Sequence, residues 1–268
     1  MGGIRLVDLS HPWGYSTPMW PAGEDFYIQK VQYMSKANRL TQLMYGFHMH
    51  IGTHSDSPAH VVQGGAFTHE LPLENFYGTG VVVDIPKGKW EIITPEDLEK
   101  ATPRIEKGDI VIIHTGSHRH WGHSDDYFMN GPGLNKAAGQ WLVQKGIKAL
   151  GVDMQALDHP CATYMVDHGV GPFVPRLIEE YRKETGRYPK EDHPDWEPVH
   201  TLLLSNNIMG FENVGGDIEM VVGKRCTIAA FPLRWYQGDG SMVRMVAFID
   251  EDGINPGVQP RQYKYGTF

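Results

Sequence analysis

Short apolar runs, set between frequent glycines and prolines, dominate the pattern of the chain. Residues 80–85 (GVVVDI), 109–115 (DIVIIHT), 148–153 (KALGVD), 200–205 (HTLLLS), 226–231 (CTIAAF) and 243–249 (VRMVAFI) each read as a buried strand. Helical signals are fewer. Thr94-Pro95-Glu96-Asp97 ahead of Leu98 has a capping threonine, a first-turn proline and acids at the positive end of the helix dipole. Residues 135–144 (NKAAGQWLVQ) and 174–184 (VPRLIEEYRKE) carry apolar positions at helical spacing. The pattern predicts an α/β chain in which strands outnumber helices, without internal repeats or a low-complexity linker. Residues 161–199 are rich in proline, acids and aromatics and poor in strand signal. They are expected to form a lid-like insertion in a single domain spanning 1–268.

Composition narrows the choice. At 268 residues, 41% hydrophobic and 21% charged, the chain is long enough for a sizeable core and lacks the signature of disorder. The net charge of −8 argues against a nucleic-acid partner. No stretch approaches the ~18 apolar residues of a membrane span, and the N-terminus has no signal-peptide pattern, so a cytoplasmic location is expected. Cys161 and Cys226 form no CxxC and no disulfide framework, and are read as free thiols. P-loop, GxSxG and dinucleotide-binding glycine patterns are absent. The unusual number is 14 histidines, which only their positions can explain.

Residues 48–60 read HMHIGTHSDSPAH, placing His48, His50, His54, Asp56 and His60 within thirteen residues. Imidazole and carboxylate suit Zn²⁺, Mn²⁺ or Fe²⁺. A helix presenting His50 and His54 on one face is excluded by Gly52 and Pro58. A turn wrapping His50, His54 and Asp56 around an ion is expected instead, with His60 close by.

The run His50-x-Gly52-Thr53-His54-x-Asp56-x-Pro58-x-His60 resembles the HxGTHxDxPxH signature of the cyclase family of metal-dependent hydrolases, which includes bacterial kynurenine formamidases and isatin hydrolases. The likeness extends to Val7-Asp8-Leu9-Ser10 with Trp20-Pro21, to His114-Thr115-Gly116 and Leu150-Gly151-Val152-Asp153, and to Phe231-Pro232-Leu233 with Gly238-Asp239-Gly240. The resemblance implies a swivelling β/β/α fold with a mixed sheet core, assembled as a homodimer or homotetramer. It implies a divalent metal, Zn or Mn, held by His50, His54 and Asp56, with His60 as general base. In two-metal members a later histidine and a glutamate twelve residues on complete a second site bridged by the aspartate; His200 and Glu212 have that spacing. One or two ions per chain are therefore expected. Three departures stand out: Ser57 where alanine is usual, the additional His48, and a segment 161–199 longer than the family pattern implies, which bears on the substrate.

A divalent ion acidifies water and polarises a carbonyl, and a histidine titrating near neutrality can relay the proton. The expected activity is cleavage of a C–N bond in a small cyclic amide or imide, or in an aryl formamide. The same chemistry would serve a lactone hydrolase or a cyclase. A non-catalytic metal-dependent binder would have no use for His60. Trp13 and Trp20 fit either an aromatic pocket wall or packing, and Trp20 is taken as the substrate contact. The second run of histidines, His114, His118, His120 and His123, is read as exposed loop imidazoles in preference to a second metal site, and Asp153 as at least as suited to structural hydrogen bonding as to a site. His11, His69, His159, His168 and His193 carry no expected role.

Overall fold

In a computed structural model the chain is described over residues 3–14, 17–21, 27–32, 41–46, 48–122 and 124–261. The strands are β1 (Ile4–Asp8), β2 (Tyr27–Gln32), β3 (Thr41–Tyr45), β4 (His54–Asp56), β5 (Tyr77–Asp84), β6 (Ile92–Ile93), β7 (Ile110–His114), β8 (Gly133–Leu134), β9 (Ala149–Val152), β10 (Met209–Glu212), β11 (Lys224–Ala229), β12 (Gly240–Met242) and β13 (Val246–Asp250). The helices are α1 (Pro95–Lys100), α2 (Asp125–Phe128), α3 (Lys136–Lys145), α4 (Pro175–Thr185), α5 (Pro189–Asp192) and α6 (Pro198–Ser205).

Nine strands form one mixed sheet in the order β1-β13-β11-β5-β7-β9-β10-β4-β12. The central β5, β7, β9 and β10 are parallel neighbours. The flanking pairs are antiparallel. Central parallel strands are covered on both faces, and so read as unbroken apolar runs. On β7, Ile110 and Ile112 enter a core shared with Val7, Ile228 and Ala247 of the antiparallel wing. Val111 and Ile113 point the other way, into a core with Leu98 of α1, Leu142 of α3 and Leu203 of α6. The mixed α/β architecture agrees with expectation.

The expected cap of α1 is present. The Thr94 hydroxyl accepts from the Asp97 amide at 3.3 Å, and the Asp97 carboxylate accepts from the Thr94 amide at 2.8 Å. One element is corrected: residues 200–205, read as a strand, belong to helix α6. A short apolar run does not distinguish a strand from a buried helix. Here Val199, His200, Leu203 and Leu204 are all buried, and Pro198 opens the first turn. Within residues 161–199, α4 and α5 pack around a small core of Cys161, Met165, Val166, Val174, Leu177 and Tyr181. Among the described residues no helix is long and apolar enough to cross a membrane.

Candidate metal centre

The signature motif does not form a simple turn. Residues 54–56 form β4, paired with β10 on one side and β12 on the other, and residues 58–60 make a 3-10 turn opened by Pro58. Side chains two apart on a strand share a face, so β4 presents His54 and Asp56 together. Register then places Glu212 of β10 directly across from His54. Both residues across from Asp56, Gly210 and Gly240, lack side chains. A Cβ at Gly240 would stand 2.7 Å from the His50 ring, and one at Gly210 would stand 3.0 Å from Asp56 Oδ2. The glycines therefore open the space in which the motif's side chains meet. Gly52, at φ +62°, turns the chain into β4.

His200 arrives from the first turn of α6. Asp158, fully buried, accepts from the amides of Val199 (2.8 Å) and His200 (3.0 Å) and from His200 Nδ1 (2.7 Å). It thus caps the helix from a distance and fixes the imidazole tautomer, directing His200 Nε2 toward Glu212 Oε1 at 2.9 Å and Asp56 Oδ2 at 3.7 Å. His54 is set in the same way: its Nδ1 lies 2.8 Å from the Gly52 carbonyl. Its Nε2 faces Asp56 Oδ1 at 3.4 Å and Glu212 Oε2 at 3.5 Å.

His50 lies between two carboxylates, with Nδ1 2.7 Å from Asp56 Oδ1 and Nε2 3.0 Å from Asp239 Oδ2. Burial lowers its basicity, but the bonds to Asp239 and Asp56 outweigh that and raise its pKa to about 10. His60 stacks on His50 at 3.9 Å and approaches Asp239 Oδ2 with its Nδ1 at 3.3 Å. Burial lowers the His60 pKa against the opposing bond to Asp239.

These side chains form two overlapping ligand-type groups, His50–Asp56–His60 and His54–Asp56–Glu212, with Asp56 in both. The buried atoms His54 Nε2 and Asp56 Oδ2 meet no protein hydrogen-bond partner. Buried polar atoms left in this condition are costly. Together with the His54–Asp56–Glu212 group, which His200 approaches through Glu212 and Asp56, they fit a divalent cation.

The centre lies on a cavity of ≈ 470 Å³. Its lining includes Trp20, Phe128, Tyr164, Phe173 and Trp196. Tyr164 and Trp196 stack with ring centroids 4.8 Å apart. Gln155 also lines the cavity and is buried, and neither end of its amide meets a protein partner. So does Glu197, held at φ +39°, whose pKa burial pushes up to about 7 against the pull of His200. Strain and a perturbed acid together are typical of working sites.

Of the expected site residues, His50, His54, His60, His200, Glu212 and Trp20 line this cavity, and the buried Asp56 lies behind them against His50 and His54; the exposed His48 also lines it. Sequence reasoning assigned no role to Asp158, Glu197 or Gln155, and quoted Asp239 only within Gly238-Asp239-Gly240. That flanking pair of glycines was the one available signal.

The reading of the 114–123 histidines is corrected. His114 and His118 are buried, because β7 is covered on both faces and the following turn folds inward. His120 is exposed, and His123 lies outside the described residues. Asp153 is a hydrogen-bond hub, accepting from the Thr115 amide and hydroxyl, the Gly116 amide and His118 Nδ1.

A mixed sheet with helices on one face, and a histidine–carboxylate centre at the base of an aromatic cavity, define an α/β protein with a metal-type site. Residues 7–159 match the family model described as Putative cyclase, and the chain belongs to that family and is one of its enzymes. It is 27% identical over 251 residues to the kynurenine formamidase of Bordetella avium, covering 90% of this chain and 97% of the relative. In structure it resembles an isatin hydrolase bound to the product analogue thioisatinate, with a TM-score of 0.73, 20% identity, and coverage of 92% of this chain and 93% of the other. Isatin hydrolase A from Ralstonia solanacearum gives a TM-score of 0.72 at 22% identity over 92% of each chain.

Proposed function

We propose that this enzyme is a metal-dependent hydrolase that cleaves the C–N bond of a small aromatic amide, either a cyclic imide or lactam of the isatin kind or an aryl formamide. The observation that carries this reading is the convergence of His54, Asp56, His200 and Glu212 with a separate, partnered histidine, His60, at one aromatic-walled cavity. The names of the relatives support the substrate class.

In this reading His54, Asp56, His200 and Glu212, together with His50, would hold one or two divalent ions, Zn or Mn. A bound ion supplies Lewis acidity, polarising a carbonyl and making water more acidic. The Asp239 carboxyl is held far below the usual range by its bonds to His50 and His60, so it is ionised and only accepts. The His60 proton therefore sits on Nδ1, facing Asp239, and Nε2 keeps a lone pair. With its lowered pKa, His60 is neutral at pH 7 and can take a proton from water as the oxygen attacks the carbonyl carbon. The same Nε2 returns that proton to the leaving nitrogen as the C–N bond breaks. An open amide gives a carboxylic acid and an amine, a lactam ring opens to an amino acid, and a cyclic imide opens to a carboxylic acid that keeps an amide. Trp20, Tyr164, Phe173 and Trp196 would hold the flat body of the substrate.

Hydrolysis of isatin, formylkynurenine, cyclic imides, lactams and lactones, each with added Mn²⁺ or Zn²⁺, tests the reading. Turnover of an aromatic amide above the lactones is expected. Turnover of lactones alone would overturn the substrate class.

A further inference from the structure

A second cluster of ligand-type side chains lies outside the cavity just described. His114 ends β7 and pairs in register with Asp84, the last residue of β5. Its Nδ1 is 2.7 Å from Asp84 Oδ1. An ionised carboxylate only accepts, so this contact places the ring proton on Nδ1 and leaves a lone pair on Nε2. His114 Nε2 is buried and meets no protein partner. The neighbouring ring of His118, 5.0 Å away between centroids, is set in the same manner. Its Nδ1 lies 3.0 Å from Asp153 Oδ2, and its Nε2 faces Glu219 Oε1 at 3.5 Å.

His114, His118 and Asp153, all buried, each offer one ligand atom, and these atoms lie within 4.8 Å of one another. The arrangement repeats that of the cavity centre, where Asp158 orients His200 and where His54 Nε2 faces a glutamate oxygen, also at 3.5 Å. In both places a carboxylate fixes the tautomer and the opposite nitrogen is directed inward, as second partners do for metal-binding histidines.

The surrounding charges leave room for a cation. Asp84, Asp153 and Glu219 supply three carboxylates. Two guanidiniums oppose them: Arg119, 2.6 Å from Glu219, and Arg261, which donates to the His118 carbonyl at 2.9 Å. His11, also near, is kept neutral: burial, then the Arg261 charge, lower its pKa to about 2. A cleft of ≈ 310 Å³ lined by His118, Glu219 and Arg261 lies beside the cluster.

We propose that His114 and His118, each through Nε2, with Glu219 at the rim and Asp153 orienting the His118 ring, form a second divalent-cation site that clamps the turn after β7 and is structural. Two imidazoles with carboxylates suit a first-row ion such as Zn²⁺. The proposal does not rest on the substrate reading above.

The test is zinc content after equilibrium dialysis against buffered Zn²⁺, for a His54→Ala/Asp56→Asn variant and for the same variant carrying His118→Gln. The first is expected to keep one zinc. In the second, zinc affinity is expected to fall by more than the roughly 10–100-fold that loss of an orienting partner costs. No zinc in the first variant, or equal zinc in both, overturns the proposal. If His118→Gln does not fold, the first variant alone decides by its imidazole ¹H–¹⁵N resonances. Zinc should shift those of His114 and His118, and unchanged resonances would overturn the site in favour of a protonated His118 bridging Asp153 and Glu219.

Discussion

Among the described residues, two histidine–carboxylate clusters lie at the ends of sheet strands, and they differ in what surrounds them. The cluster on β4, β10 and α6 opens onto a cavity of ≈ 470 Å³ with aromatic walls, and beside it stands His60, which shares the Asp239 carboxylate with His50. The cluster at the end of β7 is packed under a turn, lies beside a cleft of ≈ 310 Å³ that His118 lines, and is flanked by Arg119 and Arg261. The ligand chemistry is the same in both. Among the described residues, the first has an aromatic-walled cavity and the neighbouring His60 beside it. Holding an ion and working on a substrate are therefore separable properties, and it is the second that the cavity, His60 and Asp239 supply.

The largest expected effect comes from Asp56→Asn, which removes the carboxylate common to both ligand groups. Turnover should fall by more than the ~10²–10⁴ that loss of a proton-transfer group costs, and metal analysis should show loss from this centre. His60→Ala should lower kcat by ~10²–10⁴ while the metal content stays the same. Unchanged kcat would remove the distinction between the clusters. Asp158→Asn, which frees the His200 ring, should cost roughly 10–100-fold in metal affinity or activity. His114→Gln, at the other cluster, should leave kcat as it was; a large loss there would mean that the two clusters act together.

The smallest effect concerns acid stability. His159 and His193 stack at 4.0 Å, and burial is the main cause that lowers their pKa values to about 3 and about 4. Both folded values lie below the unfolded 6.5, so the unfolded chain takes up protons first. Stability present above pH 6.5 is lost as pH falls toward these folded values, by about 1.4 kcal/mol per pH unit for each group. Melting temperatures between pH 7 and 5 should fall less steeply for His193→Gln than for the unaltered protein.

The legible parts were those set by neighbouring residues. The β-branched runs of β5, β7 and β9 marked a sheet covered on both faces, and Thr94 to Asp97 marked a helix start. The spacing of His50, His54, Asp56 and His60 pointed to a single site because β4 and the turn after it are local. Less legible features depend on distant contacts. Asp239 meets His50 across 189 residues, and Asp158 meets His200 across 42. The leucines of α6 form a short buried run whose helical state is set by packing and by the Asp158 cap. His114 and His118 looked like loop residues until the sheet and the inward-folded turn buried them.

The most direct measurement is turnover of formylkynurenine and isatin by chelator-stripped enzyme, before and after addition of Zn²⁺ or Mn²⁺. The stripped protein should be inactive toward both, and the ion should restore hydrolysis of at least one. Full activity in a preparation shown by elemental analysis to hold no divalent metal would contradict the account.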